Sequence, residues 1–395
     1  MTKVNRKDSK GRVLRTGEDE IIEKGCYRYR YTDRYKKRKT IYASTLAELR
    51  KQEKQIQKDL EENIDTDAAT KSLYEHAQKF LKTKTKLSVS TYEDYRYAIE
   101  HYIKNSSLGI MPIHTIRKSD VLTYYAELSK NGMKNRSIEY IHRIIFSVLE
   151  LAVEDDIIRK NPSKNCSRDY CKSEKERVAL TKEQQKIFMD YVQKSSFYKR
   201  HIQLITFLLG TGCRIGEALG LTWDDIDFQN GWIHIRKQLR YKSINGKMMF
   251  YISVPKTKAG IRDIPMSNDV RKQLMSQKQA KYFLSKSSGC KIDGYKDFVF
   301  VNTKGYVLKD VSFYHVLERI SKGILEEGND DFPKVSAHIL RHTFCTRMAE
   351  QGVDMKTLQT LMGHEDSKMI MKVYDHVQND RLAAQVEKMN NVINL

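Results

Sequence analysis

The sequence predicts a multidomain, mainly α chain with small β-sheets, and three observations carry that expectation. At 395 residues it exceeds one ordinary domain. The spacing of apolar residues changes along it: period two near residues 27–31, helical spacing between residues 73 and 152, and a mixture of both beyond residue 180. Two polar stretches, "ENIDTDAAT" and "IIRKNPSKNCSRDYCKSEKERVALT", separate these regimes and read as linkers. The expected parts are a small β-sheet-plus-helix N-terminal domain over 1–63, a four-helix bundle over 70–165 and a mixed α/β domain over 180–395.

The N-terminal part is read from alternation. "GCYRYRYTD" alternates Tyr27, Tyr29 and Tyr31 with Arg28 and Arg30, which suits a strand with one cationic face. "RKTIYAST" reads as a second strand, and Arg34, Lys36, Lys37, Arg38 and Lys39 crowd the turn between the two. The segment near residues 12–15 is the expected third strand. A helix follows, with Thr45 as its N-cap and Glu48 three residues on, the capping-box spacing.

Four apolar stripes define the bundle: Leu73, Ala77, Phe80 and Leu81; then Tyr92, Tyr95, Ile99 and Tyr102; then Val121, Leu122, Tyr125 and Leu128, capped by Ser119; and last Ile138, Ile141, Ile145, Val148 and Ala152. Lys82, Lys84 and Lys86 occupy the connection after the first helix, placed either to meet a polyanion or to sit in solvent. Past residue 180 come a helix, the strand-like runs "GWIHIRK", "KMMFYISVP" and "IRDIPM", and helical patterns to the end. The last of these, "DRLAAQVEKMNNVINL", is amphipathic through Leu382, Val386, Met389 and Val392; it either docks on a neighbouring protomer or packs on its own domain.

Charge bounds the partner. With 71 Lys and Arg against 50 Asp and Glu, the formal charge is +21, an excess that points to nucleic acid or an anionic membrane. No apolar run approaches a membrane span, and "MTKVNRKDSKGR" lacks the apolar centre of a signal peptide. The expected location is the cytoplasm and the expected partner nucleic acid. The six cysteines, at 26, 166, 171, 213, 290 and 345, have no metal-ligand spacing and read as reduced, structural thiols.

One glycine-rich stretch, "GTGCRIGEALGLTWDDID" at 210–227, resembles a phosphate cradle. The spacing from Gly212 to Gly216 is wrong for the dinucleotide fingerprint, there is no Gly-Lys-Ser/Thr ending, and the preceding "HIQLITFLLG" has helical rather than strand spacing. A nucleotide cradle is the weaker reading, and interest passes to Arg214. Downstream lie "PKTKAGIRDIPM" with Lys256 and Lys258 in a Gly-containing turn, "SAHILRHTF" with His338, Arg341 and His342, "LMGHEDS" with His364, and "MKVYDHV" with Tyr374. Each alone has a plain structural alternative: a basic hairpin turn, a helix-interface histidine, a turn histidine, a core tyrosine. His338 and His342 stand four apart, but the zinc-protease motif needs Glu where this chain has Ile339.

In this order and at these intervals the set Arg214, Lys256, His338, Arg341, His364 and Tyr374 resembles the tyrosine site-specific recombinases, the lambda-integrase family. The resemblance spans about 180–395 as a tyrosine-recombinase catalytic domain, and the four-helix segment resembles the family's core-binding domain. The N-terminal part resembles the arm-type DNA-binding domain of integrases from Gram-positive conjugative transposons and related phages. It implies that Tyr374 is the nucleophile, His338 the base, Lys256 rather than Lys258 the general acid, and His364 a further donor. It also implies a 3′-phosphotyrosine intermediate with no metal, ATP or other cofactor. The implied partners are double-stranded DNA at attachment sites and arm repeats, a homotetramer on that DNA, an excision factor and a DNA-bending host protein.

Elementary chemistry runs beside the resemblance. Attack on a phosphodiester builds negative charge on two non-bridging oxygens, which preorganised cations stabilise. Guanidiniums suit the task because they are planar, permanently charged and doubly donating. A tyrosine of pKa near 10 is only about one part in a thousand ionised at neutral pH, a deficit of about 4 kcal/mol, so its proton must be taken during attack. Glu217 either holds Arg214 by an ion pair or faces solvent, and His342 reads as structural. Two alternatives stand: a type IB topoisomerase, disfavoured by the separate N-terminal part, and a non-enzymatic DNA-binding regulator, disfavoured by the full residue set. Chromosome-dimer resolvases lack the N-terminal part.

Overall fold

The computed structural model describes residues 6–170, 179–255, 257–283, 290–363, 370–371 and 373–374. Two compact units are present, residues 1–174 and 175–395. In the first, strands β1 (Glu18–Ile21), β2 (Cys26–Thr32) and β3 (Arg38–Ala43) form an antiparallel sheet in the order β1-β2-β3, followed by helix α1 (Leu46–Glu61). Alternation places Tyr27 and Tyr29 in a small core with Ala43, Leu46 and Leu49. Arg28 and Arg30 fall on the opposite face, where Arg28 stands between Asp19 and Tyr42 in the register. The tyrosines therefore face the core, and the outer face of β2 carries Arg28 and Arg30 between Cys26 and Thr32.

The third strand is 18–21, not 12–15. Residues 7–13 instead close a turn on themselves: the Asp8 N–H donates to the Arg12 carbonyl at 2.9 Å, and Lys7 bridges Val13. Thr45 caps α1, its hydroxyl accepting from the Glu48 N–H at 3.2 Å. The Glu48 carboxylate accepts from the Ser44 hydroxyl at 3.0 Å, so one side-chain-to-backbone bond of the expected box is made.

The bundle holds the four expected helices as α3 (Leu73–Thr83), α4 (Val89–Ala98), α5 (Lys118–Lys130) and α6 (Asn135–Glu154), preceded by a short α2 (Thr66–Ala69). Ser119 is not the cap of α5. That position belongs to Arg117, whose backbone N–H donates to the Asp120 carboxylate at 2.7 Å, leaving Ser119 inside the helix. Leu122 is at the surface, and Tyr124 joins the core instead. The expected linker starts later than its composition suggests. Ile157, Ile158 and Cys166 are buried in the bundle core, and the Asn161 amide ties this run to α6 through the Phe146 carbonyl (3.1 Å) and Glu150 (2.7 Å). Residues 171–178, including Cys171, lie outside the described residues.

The second unit runs α7 (Lys182–Lys194), α8 (Ile202–Thr211), α9 (Ile215–Leu219), β4 (Ile226–Asp227), β5 (Trp232–Ile235), β6 (Gln238–Ile244), β7 (Lys247–Ser253), β8 (Arg262–Pro265), α10 (Asn268–Phe283), α11 (Asp310–Glu326), α12 (Ala337–Glu350) and α13 (Met355–Met362). Strands β4, β5 and β8 make one antiparallel sheet in that order, and β6 and β7 make a separate ribbon. Strand β6 is absent from the sequence reading. Its signal is Asn245-Gly246 at the ribbon's turn, both with positive φ (50° and 80°), the commonest hairpin chemistry.

Helix α12 lies between two cores, which decides what its polar side chains can do. Leu340 belongs to the large core, whereas Phe344, Cys345 and Ala349 belong to a smaller one with Leu358 and Met362 of α13 and with Ile370. Among the described residues no helix is long and apolar enough to cross a membrane, and the described cysteines 26, 166, 213, 290 and 345 are free thiols.

Candidate active site

The glycine-rich stretch ends one helix and starts the next. Gly212 is the left-handed C-cap of α8 (φ 63°), and a Cβ there would stand 2.4 Å from Phe344 Cδ1 and 2.8 Å from Met362 Sδ. Only glycine fits, both for its backbone and for the approach of α12 and α13. Gly212→Ala is expected to destabilise the fold by about 2 kcal/mol or more, positive φ and an overpacked methyl adding together; urea unfolding of the full chain measures it. Arg214 follows as the N-cap of α9.

Arg214 is held from one side and open on the other. Its backbone N–H donates to Glu217 at 2.9 Å, its Nη1 donates to Glu217 Oε1 at 2.7 Å, and its side chain stays 37% exposed. Glu217, left open by the sequence between an ion pair and a solvated position, is buried and paired. Its burial opposes ionisation, but Arg262 and then Arg214 overcome this and hold its carboxyl at about 2.

Arg341 is buried because α12 is enclosed by two cores. Its Nη1 donates to the Gly212 carbonyl at 2.6 Å, and its Nη2 donates to the Met362 carbonyl. Burial first, and then the like charge of Arg214, push this guanidinium down to about 10, so it remains charged at neutral pH. Arg214 Nη2 makes a longer contact of 3.4 Å to the Gly363 carbonyl. A third guanidinium, Arg262 on β8, donates from Nε to the Leu361 carbonyl at 2.7 Å and from Nη2 to Glu217 at 2.9 Å. Three arginines from three segments thus grip the successive carbonyls of residues 361, 362 and 363 at the C-terminal end of α13, the negative end of that helix. Arg214 and Arg262 share one buried carboxylate, while Arg341 donates to two carbonyls, which leaves excess positive charge around Arg214 and Arg341.

His338 is exposed on the first turn of α12, three residues before Arg341 and so on the same helical face. Tyr374 is half-buried against the small core, and its hydroxyl donates to the Val353 carbonyl between α12 and α13. His342 is half-buried on α12. Lys256 and His364 lie outside the described residues, as does 375–395 with the amphipathic terminal segment. Their described neighbours are well held: Gly363 is the left-handed C-cap of α13 (φ 61°), and Gly260, in the turn after Lys256, accepts from Arg262 Nη1 at 3.2 Å.

Arg262 is the residue that sequence reasoning missed. Its signal is periodic: "RDIP" puts Arg262 in the same inward register as Ile264, a cation where a strand should carry an apolar residue.

The N-terminal cations are used in different ways. Arg28 pairs with Asp19 through Nε at 3.0 Å, and Arg30 Nη2 is 3.8 Å from the same carboxylate. Arg34 donates to the Asn63 carbonyl at 2.7 Å, and Lys39 pairs with Asp67 and, at 3.6 Å, with Asp33. Lys36, Lys37 and Arg38 are exposed at the turn. In the bundle Lys82 and Lys86 are exposed, while Lys84 lies 4.4 Å above the Phe80 ring.

Residues 179–381 match the Phage integrase family, residues 1–60 the DNA binding domain of Tn916 integrase, and residues 77–142 the phage integrase N-terminal SAM-like domain. The chain is 30% identical over 399 residues to the transposase from transposon Tn1545 of Streptococcus agalactiae, covering 98% of this chain and 96% of that protein. It is 29% identical, with the same coverage, to the transposase from transposon Tn916 of Enterococcus faecalis. Among solved structures it is similar to the Tn1549 transposon integrase in complex with transposon right end DNA, with a TM-score of 0.70 and 29% identity over 81% of this chain and 99% of that one. Fold and matches together define a tyrosine recombinase. The chain belongs to the phage integrase family, as a site-specific recombinase of the Gram-positive conjugative transposon type. The topoisomerase and regulator alternatives are not favoured, because similarity to transposon transposases extends over nearly the full length.

Proposed function

We propose that the chain cuts and rejoins double-stranded DNA through a 3′-phosphotyrosine at Tyr374, integrating and excising a mobile element without metal or ATP. The observation that carries this reading is the convergence of Arg214 and Arg341 on one helix end, two mutually repelling cations beside one buried carboxylate that Arg214 and Arg262 already share. An anion placed between them relieves the repulsion, and one that gains charge as it reacts relieves it further. The bond from the Tyr374 oxygen to phosphorus forms while the bond from phosphorus to the 5′ oxygen breaks. The tyrosine proton passes to His338, and Lys256 supplies a proton to the departing 5′ oxygen. Tyr374 must first exchange its Val353 partner, since a backbone carbonyl holds a proton without removing it. The phosphodiester bond energy is conserved in the adduct, so a 5′ hydroxyl from another strand reverses the step. Arg214, Arg341 and His364 hold the phosphate throughout.

In this reading residues 70–165 and 180–395 hold the core site, with Lys82, Lys84 and Lys86 at the backbone, and a homotetramer joins two duplexes in the cytoplasm. Residues 1–63 hold separate arm repeats through Arg28, Arg30, Arg34, Lys36, Lys37, Arg38 and Lys39. An excision factor and a DNA-bending host protein complete the assembly. The test is a nicked attachment-site duplex incubated with the protein in EDTA and without ATP. A covalent protein–DNA adduct on the 3′ phosphate is expected; dependence on a divalent ion, or no adduct, contradicts the proposal.

Removing residues 1–63 is expected to leave cleavage of a short core-site duplex nearly unchanged. It is also expected to abolish the footprint on flanking repeats and lower integration of a complete element end by about 10²-fold or more, because a tethered second contact acts intramolecularly. Full integration by the truncated chain contradicts the arm-binding assignment.

A further inference from the structure

We infer that Arg262 is a positioning residue for strand cleavage, setting where Arg214 presents its charge and where α13 ends. The inference rests on the reading of Arg214 and Arg341 as the phosphate-holding pair. Arg262 is 5% exposed, and its guanidinium joins four segments: the Leu361 carbonyl at 2.7 Å, the Gly260 carbonyl at 3.2 Å, Glu217 Oε2 at 2.9 Å and Cys213 Sγ at 3.9 Å. Those acceptors belong to α13, the turn before β8, α9 and the link between α8 and α9.

The division of Glu217 explains what this accomplishes. Its Oε2 accepts from Arg262 and from the Arg214 backbone N–H, while Oε1 accepts from Arg214 Nη1. Arg262 thereby shares the charge of a buried carboxylate that would otherwise have Arg214 as its one cation among these three arginines, drawing that charge away from a phosphate. The other side of the guanidinium is shaped as carefully. A Cβ on Gly363 would stand 2.8 Å from Arg262 Nη1, so the glycine that caps α13 also admits this side chain. With Leu361 held by Arg262, the neighbouring carbonyls of Met362 and Gly363 meet Arg341 and Arg214 in a fixed register. Of the three cations, Arg262 is the one that joins Glu217 to the end of α13 and to the turn before β8, and so fixes the frame.

A lysine cannot substitute, because one ammonium at the end of a flexible stem does not reproduce a planar fork spanning α13, the turn and Glu217. The experiment measures single-turnover cleavage of a nicked attachment-site duplex at saturating full-length protein, together with DNA affinity and thermal midpoint. Arg262→Lys is expected to keep affinity near that of the unaltered chain and to lower the midpoint, since one ammonium leaves buried acceptors without a donor, while cleavage by the folded protein slows roughly 100-fold, the scale of an ångström-level misplacement. A second variant, Arg262→Gln with Glu217→Gln, removes both buried charges and so avoids stranding one; it is expected to recover the midpoint and remain slow. Normal cleavage by Arg262→Lys, or recovery of rate together with midpoint in the double variant, overturns the inference and makes Arg262 structural. If the unaltered chain forms no adduct, the underlying reading of the site falls and the inference with it.

Discussion

Tyr374→Phe is expected to abolish covalent capture of DNA while leaving DNA affinity intact. The substitution removes one oxygen and keeps the ring that packs against the small core of Phe344, Leu358 and Met362. The lost hydrogen bond to the Val353 carbonyl costs about 1 kcal/mol of stability, too little to unfold a domain. The chemical cost is of another order, because no other tyrosine follows the "LMGH" turn. A covalent adduct that survives in Tyr374→Phe sinks the assignment, and loss of DNA binding together with the adduct contradicts the claim that the hydroxyl is chemical rather than structural.

The second large effect separates acid catalysis from charge stabilisation. Arg341→Ala is expected to slow cleavage by about 10² to 10³, the loss typical of one preorganised donor at a developing oxyanion. It also leaves the buried Gly212 and Met362 carbonyls without this donor, so thermal unfolding is measured beside the rate. Lys256→Ala is expected to be comparably slow on ordinary DNA. A substrate with sulfur in place of the bridging 5′ oxygen distinguishes them, since a thiolate leaves without a proton. Lys256→Ala recovers on that substrate and Arg341→Ala does not. Recovery of both, or of neither, contradicts the division of labour.

What could be read from the chain depended on how local the cause was. The tyrosine and arginine alternation at 27–31 is a local pattern, and it placed both faces of β2 correctly. The four bundle helices were legible for the same reason, their stripes repeating at helical spacing. Errors arose where a cause lay elsewhere in the chain. Ser119 lost its capping role to Arg117, whose N–H the Asp120 carboxylate accepts, and "IIRKN" looks like linker until Ile157 and Ile158 find the bundle core. Lys39 reads as a free surface cation until β3 meets α2, where Asp67 pairs with it. Within the candidate site, Arg214 and Arg341 stood out through motif spacing. Arg262 did not, because its four acceptors are separated from it by as much as the interval to Leu361 and meet only in the folded unit. The buried pairing of Glu217 was left open for the same reason: its partner on β8 is distant in sequence.

The central claim is that Tyr374 becomes covalently joined to the 3′ phosphate of a cut strand. It is tested most directly by trapping the adduct on a nicked duplex, digesting both protein and DNA, and sequencing the nucleotide-bearing peptide by mass spectrometry. The expected result is one modified peptide, carrying a 3′-linked nucleotide on Tyr374. A nucleotide on any other side chain, or a linkage through the 5′ end, contradicts the account.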